Sequence, residues 1–327
     1  MHATETAASA ATDRPICGLP VDANVLFSDK NGVRKKSIQN KKLKLLQKLS
    51  FLRKFLAADE RIVFVTTGCS PFSTVEQMTI GHAWVYLIKR ALFVFTNKRI
   101  LHVPTTMSYE YRGSLAQILY QDCRMQFVKG SAFFVEYHSG RKERFYGIPR
   151  ADRAMIRRLN IEAGEFGPRS ARPERNYLCP QCGCVLTPEQ YTCSSCNLEF
   201  KNKAEALKYS LLAPGGGYFY TRHWGLGILD AIAESYLLIL TAVAFLAAAL
   251  GDPEALPAVV MFGVILAFEK LITVYHSNHF LAEFIPKNLK LLQTAQPTQT
   301  VSTPEMQPAA PPPEPQKEGI ERILSLR

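Results

Sequence analysis

The chain has little of what an enzyme needs. It carries no Gly-x-x-x-x-Gly-Lys-Ser/Thr phosphate loop, no Gly-x-Gly-x-x-Gly dinucleotide fingerprint, no Gly-x-Ser-x-Gly elbow and no His-Glu-x-x-His pair. A non-enzymatic role is therefore expected. Cysteine is also scarce outside one segment. Five of the eight lie between 179 and 196, and Cys17, Cys69 and Cys123 are scattered singly. That distribution excludes a disulfide framework and points to one thiolate cluster in a reducing compartment. The first thirty residues hold no apolar run, so no secretory signal is expected. Acidic residues are missing from Lys30 to Leu56, where ten Lys or Arg stand without one Asp or Glu.

What is present is unevenly distributed along 327 residues with a formal charge of +11. A length of this order suits two or three domains, or one domain plus a membrane part. Residues 1–40, Ala/Thr-rich and then basic, read as a disordered basic arm. In 41–57 the residues Leu45, Leu49, Leu52 and Leu56 recur at helical spacing, an amphipathic helix that lies on a membrane surface or packs on the next domain. The Lys30–Lys54 charge seeks a polyanion, with anionic membrane lipids preferred over nucleic acid.

From 58 to 163 the period becomes that of strands. ERIVFVTT, HAWVYLIK, ALFVFTN, RILHVP, CRMQFVK, AFFVEYH and KERFYGI are short and rich in Val, Ile, Phe and Tyr. A helix follows at PRADRAMIRRLNIEA. The expected architecture is multidomain α+β, with an antiparallel barrel or sandwich plugged by its C-terminal helix. The order of strands and final helix, with Thr96-Asn97-Lys98-Arg99 before an apolar strand, resembles the bacterial pleckstrin-homology family and its GRAM-like relatives. The resemblance implies a rigid scaffold that engages lipid headgroups or a protein partner. GCSPFSTVEQMT, in the first hairpin, lacks the basic cluster that phosphoinositide recognition would use.

Residues 164–177 read as a linker, and 178–200 hold CPQCGCVLTPEQYTCSSC. Cys179, Cys182, Cys193 and Cys196 form two Cys-x-x-Cys pairs able to close a tetrahedral site, and structural Zn2+ is the expected ion. Cys184 is an extra thiol. Gly183 and Asn197 occupy the positions after each pair, where positive φ is common. The segment resembles a short bacterial zinc ribbon.

Residues 201–224 are juxtamembrane and 225–280 hold two spans, 227–250 and 255–275, broken by Gly251-Asp252-Pro253-Glu254. Pro214-Gly215-Gly216-Gly217-x-x-Tyr220 resembles the start of small bacterial two-span hairpins. Asp230, Glu234, Glu269 and Lys270 fall inside the apolar stretches, where each charge costs at least ~2.5 kcal/mol. Glu234 and Lys270 stand equally far from the turn, so an ion pair that fixes hairpin register is predicted, with Glu269 nearby. His276 and His279 read as interfacial polar residues. Lys and Arg flank both outer ends of the hairpin and are absent from its turn. The positive-inside rule then places both termini in the cytoplasm, at the inner membrane. Residues 281–327 read as a Pro-rich disordered tail.

These features predict a membrane-anchored cytoplasmic scaffold. Two alternatives stay open: a tethered zinc-ribbon module for nucleic acid, and an accessory subunit of a transporter or channel. Homo-oligomers suit the second.

Overall fold

The computed structural model describes residues 15–159 and 169–288. The assigned tail beyond 288, the first fourteen residues and residues 160–168 lie outside them, whereas 169–177 of the assigned linker and 281–288 of the assigned tail are ordered. The fold is mixed α+β. Strands β1 (Ile62–Cys69), β2 (Arg90–Thr96), β3 (Arg99–Pro104) and β4 (Leu115–Leu119) form an antiparallel meander, and β8 (Asn176–Leu178) adds to the edge of β4. A second antiparallel sheet joins β5 (Cys123–Lys129), β6 (Ala132–Tyr137) and β7 (Lys142–Phe145). The sheets face each other without closing into a barrel. A bridge from Cys69 to Tyr146 joins them at one corner. Helix α5 (Arg150–Arg158) covers β5 with Met155 and Ile156 buried.

The core sits between the sheets. In β2 the run ALFVFT is buried throughout, as expected for an internal strand. Phe93 meets Phe145 edge-on at 5.1 Å, and Phe95 meets Phe133 at 5.7 Å. Truncating such a ring to Ala costs about 3–5 kcal/mol. The Thr-Asn-Lys-Arg turn between β2 and β3 is a stitch to the start of β1. Thr96 Oγ1 donates to Glu60 (2.8 Å), Arg61 N–H donates to Asn97 (2.8 Å), and Arg99 grips Glu60 through two 2.9 Å contacts. These residues hold the scaffold together.

Several expectations are corrected. HAWVYLIK is helix α4 (His82–Ile88), preceded by α3 (Thr74–Ile80) in the supposed first hairpin. Ser73 and Glu76 form a reciprocal capping box, and Gly81, at φ +88°, separates the two helices. β4, which the sequence reading passed over, supplies the missing strand. The arm assigned to 1–40 is ordered from residue 15 onward. Leu19, Leu26 and Phe27 are buried against the first sheet, around the short helix α1 (Ala23–Leu26) capped by Asp22. Three apolar side chains in a polar stretch leave no periodic signal.

The amphipathic helix is α2 (Lys36–Lys48), followed by a 3-10 turn at Ser50–Phe55. Its Leu45, Leu49 and Leu52 join the sheet domain's core, so that stripe faces protein. Lys42 is buried with it, pairs with Asp152 of α5 at 3.0 Å and donates to the Val65 carbonyl. Removing one partner of such a pair leaves an uncompensated buried charge, which costs about 3–5 kcal/mol. Asp152→Ala is expected to destabilise the domain by about that much. Lys42→Met with Asp152→Leu should recover most of it; denaturant titration of the full chain checks both.

The remaining helices are α6 (Lys203–Leu212), α7 (Gly216–Tyr220), α8 (Trp224–Ala249) and α9 (Ala255–Leu281). The last two are long and apolar enough to cross a membrane. At 1.5 Å per residue they run about 39 and 40 Å, against about 30 Å of hydrocarbon. Ile232, Ile239, Val243, Val264, Phe268 and Leu271 point outward and are exposed. A core helix of a soluble domain would bury them, whereas a membrane span gives them to lipid.

Candidate metal centre and the membrane junction

β8 runs directly into the first Cys-x-x-Cys loop, so the sheet edge fixes where that loop starts. Gly183 N–H donates to the Cys179 carbonyl (2.9 Å), and Asn197 N–H donates to the Cys193 carbonyl (2.9 Å). Both turns end in left-handed backbone, at φ +78° for Gly183 and +57° for Asn197. Gly and Asn tolerate that conformation best. The loops bring all four sulfurs within 4.8 Å of one another, with Cys179–Cys196 and Cys182–Cys193 each at 3.5 Å. A disulfide needs about 2 Å. Four sulfurs around one ion at about 2.3 Å stand about 3.8 Å apart, close to what is seen. The geometry and the all-sulfur donor set fit one tetrahedral ion with no coordination position left over. Cys184 lies outside the cluster, its Sγ donating to Ser195 Oγ at 2.9 Å.

The local core is small: Cys179, Leu186, Cys193, Leu198 and Phe200. Burial opposes ionisation of Cys193, but the Cys196 and Ser195 N–H groups aimed at its sulfur outweigh it and bring the thiol down to about 7. Lys54 of the 3-10 turn donates to the Pro180 carbonyl at 2.8 Å. Burial lowers its pKa, and the nearby Cys179 and Cys182 sulfurs pull the other way. The cation thereby offsets part of the charge that four thiolates and a divalent ion would carry.

The cluster is also bound to the hairpin's end. Lys201 N–H donates to Ile285 (2.9 Å), Lys287 N–H donates to Glu199 (2.9 Å), and the Phe284 ring packs on Tyr177 and Phe200. A separate set of contacts joins the sheet domain to α9. Lys89, at the end of α4, pairs with Glu76 at 3.2 Å and reaches Glu283 at 3.8 Å, while His279 approaches Glu76 at 3.3 Å. Glu76 and Lys89 are fully buried. Burial would raise the Glu76 carboxyl, but Lys89, His279 and the Ser73 N–H hold it below its ordinary value. Arg112 donates to His223 at 2.7 Å and to the Ile88 carbonyl at 3.0 Å. Ser73-x-x-Glu76 was a local capping signal, but the contacts of Glu76 and Lys89 with α9 and those of Glu283 and Arg112 had none, because these partners are far away along the chain.

No match to this chain came from protein-family models, from curated proteins or from solved structures.

Within the hairpin, Glu234 and Lys270 form the predicted ion pair, and Glu234 is wholly buried. The pair does more than set register. α6, the glycine turn and α7 form a short helical hairpin beside α8 and α9, and its tip presents helix-end backbone groups. Glu234 accepts from the Gly215 N–H at 3.0 Å, at the start of α7, and Lys270 donates to the Ser210 carbonyl at 2.7 Å, in the last turn of α6. Each charge thus satisfies an orphan backbone group at the helix end of opposite polarity. Irregular backbone at membrane depth requires such partners. Gly217 lies against the Ser210 and Ser277 hydroxyls with no room for a Cβ, which lets α7 seat between α6 and α9.

Asp230 and Glu269 also lie beside Glu234, and Thr273 contacts both at 3.2 and 2.9 Å. His276 and His279 go to separate partners. His276 bonds Tyr218 (2.6 Å) and Thr79 (2.8 Å), so they form no paired ligand set.

Proposed function

We propose that this protein is a non-enzymatic, membrane-anchored scaffold that holds a protein partner at the cytoplasmic surface of the inner membrane. In this reading the sheet domain is a pleckstrin-homology-like platform, Cys179, Cys182, Cys193 and Cys196 bind one structural Zn2+, and both termini are cytoplasmic. Anionic lipids meet the exposed lysines of the Lys30–Lys54 region.

The observation that carries the reading is the docking of the sheet domain on the hairpin. β8, the thiolate cluster and the Glu76–Lys89–Glu283 contacts fasten it there, so the platform keeps one pose above the bilayer. A protein partner is favoured over a headgroup for two reasons. Pro71–Ile88, between the first two strands, has no exposed Lys or Arg. The outer face of β5–β7 instead carries Met125 and Phe127, both exposed. Phe127 stacks on Phe134 at 4.9 Å, Arg144 lies over Phe134, and the exposed Arg124 pairs with Glu136 at 3.5 Å on the neighbouring strand. An aromatic patch rimmed by cations suits a partner with apolar anchors and acidic flanks.

The full chain in native membranes, crosslinked and isolated, is expected to carry a defined partner. Phe127→Ser with Arg144→Glu should lose it at unchanged thermal stability. Retention of the same partner by the double variant would place the contact elsewhere.

A further inference from the structure

The pair α3–α4 has an unusual surface for a water-facing element. Across Pro71–Ile88, PFSTVEQMTIGHAWVYLI, the one carboxylate is Glu76 and there is no Lys or Arg. Glu76 is buried against Lys89, so it adds no charge to the outer face. That face shows Val75, Met78 and Trp84, with Met78 81% exposed. Surface helices of soluble domains set charged residues opposite their buried stripe.

The position of this face along the hairpin is fixed by two hydrogen bonds. Ser73 meets Tyr275 at 3.3 Å, and Thr79 meets His276 at 2.8 Å. Tyr275 lies about 30 Å along α9 from Ala255, which is the depth of a bilayer's hydrocarbon core. α3 is therefore pinned at the boundary between acyl chains and headgroups, on the side away from the turn. The outward apolar surface of α9 continues up to it through Phe268, Leu271 and Tyr275, all exposed. α6 adds the exposed Leu211 and Leu212 about 7 Å nearer the turn, because its Ser210 carbonyl is bound to Lys270.

We propose that α3–α4 is an interfacial element whose Val75, Met78 and Trp84 insert among the lipids of the leaflet nearest the sheet domain. The occupant of this face is lipid at the headgroup–acyl boundary, in continuity with the lipid that surrounds α9. Trp84 suits that depth, since its ring is apolar and its N–H reaches the headgroup layer. Insertion here fixes the tilt of the sheet domain at a second point besides the ribbon. The inference rests on the hairpin spanning the membrane, and the test separates the two.

The chain has two tryptophans, Trp84 in α4 and Trp224 at the start of α8. Trp224→Phe leaves Trp84 as the sole reporter, and Trp84→Phe leaves Trp224. Each full-length variant is reconstituted into vesicles of lipids brominated either high on the acyl chain or near its methyl end. Trp84 is expected to lose emission to the high bromines, to lose little to the deep ones, and to resist aqueous iodide. Met78→Glu should reduce that quenching. Trp224 quenched by bromine with Trp84 reached only by iodide would overturn the insertion and leave the hairpin standing. Trp84 shielded from both quenchers would also overturn it, since protein would then cover the face. If bromine reaches neither tryptophan, the hairpin reading fails as well. Should Trp224→Phe fail to fold, Met78→Trp in a Trp84→Phe chain reports from the same face against the Trp224 background.

Discussion

Cys193→Ser is expected to abolish metal binding by the four-cysteine cluster, unfold residues 176–200 and loosen the sheet domain from the hairpin. The local core of five side chains is too small to hold this segment unaided. Structural zinc in peptides of this kind contributes about 10–16 kcal/mol of apparent binding free energy, and nearly all of it is folding free energy. Serine offers no thiolate, and three sulfurs leave the site open. The loss propagates because β8 leads into Cys179 and pairs with β4, and because Lys201 and Lys287 bind across the hairpin's end. Metal analysis of the purified chain should give one zinc per chain for the parent and none for the variant. Cys184→Ser is the matched control. That thiol lies outside the cluster, so its loss should leave zinc content and melting temperature unchanged.

Lys270→Ala is expected to destabilise the membrane part by about 3–5 kcal/mol, the cost of leaving a buried charge without its partner. Glu234 is completely buried and would keep only the Gly215 N–H. The Ser210 carbonyl would lose its donor at the same time. Both losses fall at the tip of the α6–α7 hairpin, about 24 Å from the turn along α8, where the groups left unpaired are buried in protein. Glu234→Gln with Lys270→Met removes both charges and keeps an acceptor for Gly215, so it should recover most of the stability. Thermal unfolding of the three proteins in one detergent decides the matter. Equal melting temperatures for Lys270→Ala and the parent would mean that the pair carries no structural load.

The features that were legible in the sequence were those with a fixed local geometry. Two Cys-x-x-Cys loops at a short separation left one way to gather four sulfurs. The Glu234–Lys270 contact followed from the turn at Gly251–Glu254, because an antiparallel hairpin matches positions equally distant from it. Features that depend on distant neighbours were not legible. HAWVYLIK has strand composition but forms α4, which starts at Gly81 without a side-chain cap; only Val85 of that run and the final Lys89 are buried, the latter against Glu76 and Glu283. β8 has three residues and no pattern of its own, and it exists because β4 offers a free edge. The leucines of α2 fitted either a membrane or a domain, and the sheet's unfilled core decided for the domain. The contact of the Gly215 N–H with Glu234 left no signal in the sequence, because the two lie in different elements.

The central claim is that sheet domain, thiolate cluster and hairpin form one docked unit. Amide hydrogen exchange of the full chain in nanodiscs, with and without a chelator, tests it most directly. With metal bound, the amides of Leu186, Lys201 and Lys287 should exchange as slowly as those of β3. Chelation should release all three and leave β1–β3 protected. Rapid exchange of Lys201 and Lys287 in the metal-loaded protein, beside a protected β3, would contradict the claim and show the domain to be loosely tethered.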